Sequence, residues 1–442
     1  MIIKQQLRSI SFFTVSRLCV LAIISFLMHT GYSQNARLDA LANNFCIDDA
    51  SAITNNPAAS ITYYDILQAT SFADGTFGPF IGVKSLGKHL SVGLIANVND
   101  HGDSVFYQSS SQYLDSAIDT SSELLSMFPA YPQLIIAANC KYFNFGLKVF
   151  YKRSDLEIQQ SSSDNQSNEH IKKDIMIYGV SGSAGARFGI FGLYPFFTLS
   201  VPKTQGVATA TGKQSFKAST ENNIIAEAGT EFDFDYNGLN LRLGGIYSLT
   251  KYSFISNSTN KGGNPVANKT RITGYLGMTV YPAESVLLSA AYALISDNDN
   301  TEYAFDLYTM QQKNIGLLHY ITASCEYEMS IKKINASLFI RSGVYWTLSN
   351  STYDEHVEFI TEPSRVSDYK EIYASDASSF IPTLGLGFSK GIIQFDIASK
   401  LAGWSGLVSG MPVLIGTLTL DFTKKVAKST IERPVTPTDL YN

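Results

Sequence analysis

The chain has 442 residues, of which 16% are charged and 12% aromatic, and its formal net charge is -5. The charged fraction is well under the roughly 25% of typical soluble domains, which suits a surface that partly faces lipid. The mild acidic balance is spread along the chain, and no basic patch argues for nucleic acid.

Residues 1–33 read as a secretory signal. Lys4, Arg8 and Arg17 supply positive charge, and Leu18 to Met28 is an apolar run too short for a comfortable transmembrane helix. Gly31 and Ser33 place small residues at the −3 and −1 positions, so cleavage is expected before Gln34. No later stretch is apolar enough to span a membrane as a helix, so a membrane role would have to use strands.

Residues 34–60 are expected to form a small N-terminal plug, with a short helix over residues 36–44. Within them stands Asp48-Asp49-Ala50-Ser51-Ala52-Ile53-Thr54-Asn55-Asn56-Pro57-Ala58-Ala59. Its Asn-Asn-Pro core predicts a bend. Asn tolerates the left-handed backbone region, while Pro57 fixes its own φ and pushes Asn56 out of the helical region.

From Ile61 to Phe422 the chain alternates with period two, as strands with two unlike faces do. Phe232, Phe234 and Tyr236 alternate with Asp233 and Asp235. Leu239, Leu241 and Leu243 alternate with Asn240 and Arg242, and Phe395 and Ile397 with Asp396. Leu418 likewise follows Thr417, and Phe145, Leu147, Val149 and Tyr151 enclose Lys148. Tight turns are expected at Gly87-Lys88, Asn144, Gly189, Asn237-Gly238, Pro282-Ala283-Glu284, Lys332-Lys333 and Lys390-Gly391. Longer polar stretches fall between them, at 100–131, 161–170, 204–221, 256–268, 297–313 and 350–376. Short turns alternating with long loops mark an outer-membrane barrel, apolar outward and polar toward the lumen. The fold class expected is therefore all-β: a transmembrane antiparallel β-barrel of 14 to 16 strands with a small plug. Residues 423–442 read as a loosely ordered periplasmic tail.

The Asp-Asp to Ala segment resembles the signature preceding the barrel in the FadL-type family of outer-membrane hydrophobic-compound transporters. The match is Asp48, Asp49, Ser51, Ala52, Ile53, Asn56, Pro57 and Ala58. Similar stretches occur in PorV-type secretion barrels. Two departures are Ala59, where the family usually has Gly, and Asn43-Asn44-Phe45-Cys46, which replaces a Gly-rich run. The resemblance favours 14 strands, places Asn56, Pro57 and Asp49 beside a ligand pocket, and implies passive uptake of a hydrophobic or amphipathic small molecule. The alternative it carries is an interaction barrel of a secretion system without transport activity. Either reading implies the outer membrane of a Gram-negative bacterium, with membrane lipid and lipopolysaccharide as neighbours.

In the loop 100–131, Leu114, Ala117, Ile118, Ser121, Leu124, Leu125 and Phe128 recur at helical spacing. The resemblance implies that helical loop segments make the first contact with the hydrophobic ligand, which makes Ile118, Leu125 and Phe128 candidates for it, beside the plain alternative of a helix that caps the barrel. Lumen charges of both signs are expected to pair across strands, and Arg187 or Arg242 to be available for a ligand carboxylate. The run Asp297 to Glu302 lacks the Gly and the terminal Glu of a calcium loop and reads as a solvated external loop. Cys19, Cys46, Cys140 and Cys325 have neither a disulfide framework nor metal-ligand spacing, so no cofactor or metal is expected. The five histidines after the signal sit in no nucleophile motif, so no enzyme activity is expected.

Overall fold

The computed structural model describes Arg37, Leu41 and residues 50–54, 56–72, 77–96, 132–140, 142–161, 168–210, 216–256, 264–304, 308–359, 366–373, 379–400 and 413–423. The signal segment, Asp49, the loop residues Ile118, Leu125 and Phe128, and the tail after Thr423 lie outside the described residues.

The first strands are short: β1 (Ile66–Phe72), β2 (Phe77–Ser85), β3 (Leu90–Ala96) and β4 (Gln133–Cys140). Then come long ones: β5 (Phe143–Ser161), β6 (Asn168–Phe188), β7 (Phe191–Ala210), β8 (Phe216–Tyr236) and β9 (Leu239–Ser256). These continue as β10 (Asn264–Ala283), β11 (Val286–Ala304), β12 (Tyr308–Ile331) and β13 (Ala336–Phe359). The last are β14 (Val366–Tyr373), β15 (Ser379–Lys390), β16 (Ile393–Lys400) and β17 (Val413–Asp421). Apart from β14 and β15, each strand pairs antiparallel with the next, and β17 returns to β1 through the pairs Ile66 with Asp421 and Phe72 with Ile415. β14 and β15 both pair with β13, β14 on its outer part and β15 on its inner part, so they share one place in the wall. The result is a closed barrel of sixteen strands. The even count puts both ends of the barrel on the short-turn side, and the fourteen that the resemblance favours is corrected to sixteen.

Closure removes the free strand edges, which is the physical reason a sheet can sit in lipid at all. At the seam, the backbone N–H of Phe422 donates to the Asp65 carbonyl. The Asp65 carboxylate accepts from the Ser85 backbone N–H at 3.0 Å and faces Lys84 Nζ at 2.8 Å. Burial pushes this carboxyl up, but Lys84 and Ser85 more than offset it and hold its pKa below the ordinary value. Its contribution to holding β1 beside β2 is therefore present above the ordinary carboxylate pKa and is lost as pH falls through the lowered one.

The two faces sort as the alternation predicts. Phe145, Leu147, Val149, Phe232, Leu241 and Leu418 are exposed on the outside, while Lys148, Asp233, Arg242, Asp396 and Thr417 are buried on the inside. Aromatic side chains gather outside the short-turn end, among them Phe143, Phe188, Phe191 and Tyr236. A second outward group stands roughly ten residues further along each strand: Tyr151 stacks on Tyr178 with ring centroids 6.3 Å apart, and Trp346 is exposed. Two such girdles about 25 Å apart bound the apolar band of an outer-membrane barrel.

Where the structure departs from expectation is in strand length. β12 and β13 have 24 residues each, roughly twice the 9–11 that cross a bilayer. The described parts of the polar stretches 204–221, 297–313 and 350–376 are strand, the outer ends of β7, β8, β11, β12 and β13 together with β14. Asp297 and Asp299 lie in β11 and pair with Arg271 and with Lys269 on β10, so the solvated-loop reading is corrected. The tight turn expected at Asn144 falls slightly earlier, beside Tyr142. Among the described residues, the strands are thus long from β5 to β13 and short in β1–β4 and β15–β17.

This division gives a test. Ala290 and Asn298 both face outward on β11, at membrane height and beyond it. Ala290→Lys is expected to cost roughly 2–4 kcal/mol of barrel stability and Asn298→Lys close to nothing. Heat-modifiable gel migration in a denaturant series reads both. Equal effects would mean that the outer half of β11 also faces lipid.

Candidate functional site

The Asn-Pro segment lies inside the barrel at the short-turn end. It forms two 3-10 turns, Ala50–Thr54 and Pro57–Ile61, with Pro57 in the first turn of the second. No folded plug domain is seen among the described residues. Asn56 takes φ −120° and ψ 86°, so Pro57 does exclude it from the helical region. It is not left-handed, and the tolerance of Asn for that region is not what makes the bend. The bend is held by backbone bonds: Asn56 N–H to the Ala52 carbonyl and Ala59 N–H to the Asn56 carbonyl, both 2.9 Å.

Three features fasten the segment to the wall. Ala50 and Ile53 pack on an inward-facing patch of Ile66, Ile81, Val83, Ile95 and Ile135 from β1–β4. An apolar patch on the lumen face breaks the polar-inside rule, and the segment is what it buries. Next, Lys148 Nζ on β5 donates to the Thr54 carbonyl at 2.7 Å, and the Ala58 N–H donates to Ser183 Oγ on β6 at 2.8 Å. Last, Gly146 of β5 stands where any Cβ would overlap the backbone of Pro57 and Ala58. Arg37 and Leu41 lie on the far wall. Arg37 donates from Nε and Nη2 to Glu326 of β12 at 3.2 and 3.1 Å, and Leu41 packs on Leu287 of β11.

Beside Asn56 is a cavity of about 100 Å³ lined by Ala52, Ala58, Tyr63, Tyr194 and the charged groups Arg187, Glu231, Asp233 and Arg242. Arg242 pairs with Asp233 at 2.9 Å and Glu231 at 3.3 Å, and Arg187 pairs with Asp235 at 2.9 Å. The expected cross-strand pairing of lumen charges is therefore present. Both arginines are committed to wall carboxylates, which corrects the expectation that either is available for a ligand carboxylate. A second charged group lies across the lumen: buried Arg341 of β13 bridges Glu326 and Asp396, and Gln394 Nε2 donates to Asp396 at 2.9 Å. Glu326 and Arg341 were not singled out from the sequence. The signal was there: Glu326 and Glu328 alternate with outward Tyr327 and Met329.

One stretch of lumen wall is aromatic. Tyr194, Phe196 and Tyr275 face inward from β7 and β10, each ring lying where a Cβ on Gly185, Gly229 or Gly244 of a neighbouring strand would stand. Glycine at these places leaves room for the ring against the neighbouring strand. Tyr275 also donates its hydroxyl to Glu231 at 2.7 Å.

Of the residues singled out from the sequence, Asn56 and Pro57 thus stand at a lumen site, with Arg187 and Arg242 brought beside them. Asp49, Ile118, Leu125 and Phe128 are not described. Cys140 and Cys325 are free thiols, and no cluster suited to a metal is found among the described residues.

No protein-family model and no curated protein matches the chain. Among solved structures it is similar to the Pseudomonas putida toluene transporter TodX, with 10% identity, 89% of this chain and 97% of that one covered, and a TM-score of 0.36. It is similar to CdiB from Escherichia coli at 8% identity over 81% of this chain and 63% of that one, TM-score 0.40. It is also similar to the β domain of the Bordetella autotransporter Brka at 12% identity over 63% and 99%, TM-score 0.29. Scores this low fall short of a family assignment.

Proposed function

We propose that this barrel sits in the outer membrane of a Gram-negative bacterium and passes a hydrophobic or amphipathic small molecule, without enzymatic chemistry. The observation that carries the reading is the aromatic wall of Tyr194, Phe196 and Tyr275. An aqueous pore favours polar side chains on its inner surface, whereas flat aromatic faces suit an apolar cargo. The charged groups around the cavity offer hydrogen bonds to a polar end of the same molecule. In this reading Ile118, Leu125 and Phe128 make first contact, Asn56 and Pro57 shape the gate, and Asp49 lies at its edge. Lipid and lipopolysaccharide surround the outer surface.

The second reading is a PorV-like interaction barrel. It is favoured by the small size of the cavity beside Asn56 and by the mutually paired charges in its lining. Native mass spectrometry separates the two. Transport predicts that the purified barrel retains a hydrophobic or amphipathic compound through detergent exchange. Phe196→Asp should release it while the protein keeps its heat-modifiable migration. A wild-type barrel that retains no compound but co-purifies with secretion proteins would overturn the transport reading.

A further inference from the structure

We propose that the cavity beside Asn56 selects a primary ammonium group, the polar end of an amphipathic amine. The inference rests on the transport reading and narrows its cargo to one class. The wall here carries more negative charge than positive. Two arginines, Arg187 and Arg242, stand against three carboxylates, Glu231, Asp233 and Asp235. Arg242 takes Asp233 at 2.9 Å and reaches Glu231 at the longer 3.3 Å, while the neutral Tyr275 hydroxyl donates to Glu231 at 2.7 Å. The Glu231 side chain is 22% exposed against 8% for Asp233, so it is the lining carboxylate that a ligand reaches more easily. Further along the same walls come Lys148, which donates to the Thr54 carbonyl, and Glu227, which accepts from Ser248. They add one charge of each sign, so the imbalance persists.

An acceptor is also left without a donor. Asn56 lines the cavity, and its buried Oδ1 accepts no hydrogen bond. On the β9 wall Asn240 is 7% exposed, faces Asp235 in register, and its Oδ1 accepts none either. Buried acceptors in this state call for a donor. A primary ammonium brings three donors, one positive charge and no acceptor. It answers both Glu231 and Asn56, and Tyr63 and Tyr194 in the lining offer aromatic surface to a cation. A carboxylate head would meet Glu231 and Asp233 as like charges. A quaternary ammonium carries the charge but has no donor for Asn56. At about 100 Å³ the cavity takes a head group and its first carbons, well below the roughly 300 Å³ at which pockets for whole ligands begin. The tail is left to the aromatic wall, which Tyr194 shares with the cavity.

The test is isothermal titration of the barrel in lipid nanodiscs with hexylamine, hexanoate and hexyltrimethylammonium at neutral pH, with empty nanodiscs as the blank. Hexylamine is expected to bind about tenfold more tightly than either of the others. Asn56→Leu and Glu231→Gln should each weaken hexylamine about tenfold while heat-modifiable migration stays normal. Glu231→Gln should also strengthen hexanoate, a change that simple damage to the cavity would not give. Should Asn56→Leu fail to assemble, the near-isosteric Glu231→Gln decides alone. Hexylamine bound no more tightly than hexanoate or hexyltrimethylammonium, or hexylamine binding that survives either substitution in a folded barrel, overturns the proposal. Head-group selectivity is scored apart from compound retention. A barrel that retains a neutral hydrophobic compound yet ignores hexylamine keeps the transport reading and loses this one.

Discussion

Replacing Arg341 by Met should remove about 3–5 kcal/mol of barrel stability, more than any other single change on the lumen face. The guanidinium is 2% exposed and bridges Glu326 and Asp396, which are 1% and 2% exposed. Without it, Asp396 keeps Gln394 and Glu326 keeps Arg37. Neither replacement is adequate, because an amide carries no charge and Arg37 must also stay docked. Gly387 belongs to the same arrangement: a Cβ there would strike both Asp396 and Arg341, so Gly387→Ala should cost less but in the same direction. The measurement is the midpoint of unfolding in a urea series, followed by heat-modifiable migration in lipid. Neutralising the carboxylates together, as Glu326→Gln with Asp396→Asn in the Arg341→Met background, should recover most of the loss. A neutral effect of Arg341→Met alone would mean that the carboxylates are protonated or hydrated in the folded barrel.

What was legible in the sequence is the half of each strand that meets lipid. Phe232, Leu241 and Phe395 alternate with Asp233, Arg242 and Asp396 because one side touches hydrocarbon and the other does not. That contrast is written in residue type. From the same alternation the cross-strand pair of Asp233 and Arg242 is recovered in register. The outer halves were not legible as strands. Beyond the membrane both faces of β11 meet polar surroundings, so Asp297 to Glu302 carry no period-two hydrophobic signal although every residue is paired with β10 and β12. A strand polar on both sides specifies neither face nor register.

The site was legible only in part. Asn-Pro announces a bend in any fold, and Asn56 and Pro57 do stand at one. What receives that bend is a set of residues whose roles depend on contacts far along the chain. Ile81, Ile95 and Ile135 read as ordinary strand residues, and only closure turns them inward as a seat for Ile53. Arg37 meets Glu326 across 289 residues of sequence, a separation over which no local pattern informs. Gly185, Gly229 and Gly244 read as weak strand positions until the rings of Tyr194, Phe196 and Tyr275 are seen to occupy the space above them.

Gly146→Val should drive the second turn off the wall. The atoms a Cβ would meet at Gly146 are backbone, the Pro57 carbonyl carbon and the nitrogen and Cα of Ala58. A side chain can rotate away, whereas this backbone moves only if the whole turn moves. Moving it breaks the bond from Ala58 N–H to Ser183 Oγ and strains that from Lys148 to the Thr54 carbonyl. At about 1 kcal/mol each, losing both shifts docking by more than tenfold. β5 itself should stay folded, because its ladders run unbroken to β4 from Phe143 to Phe150 and to β6 from Phe143 to Ser161. The expected result is a barrel of normal heat-modifiable migration that leaks a small hydrophilic dye from liposomes. Gly146→Ala should do the same to a smaller extent, while Pro57→Ala should matter less, since it removes a restraint without inserting an obstacle. Valine at 146 with an intact, tight barrel would show that the turn is not what closes the lumen. A barrel that fails to assemble would show instead that strands β3–β6 need the turn as a template, and the gate assigned to Asn56 and Pro57 would have to be given up.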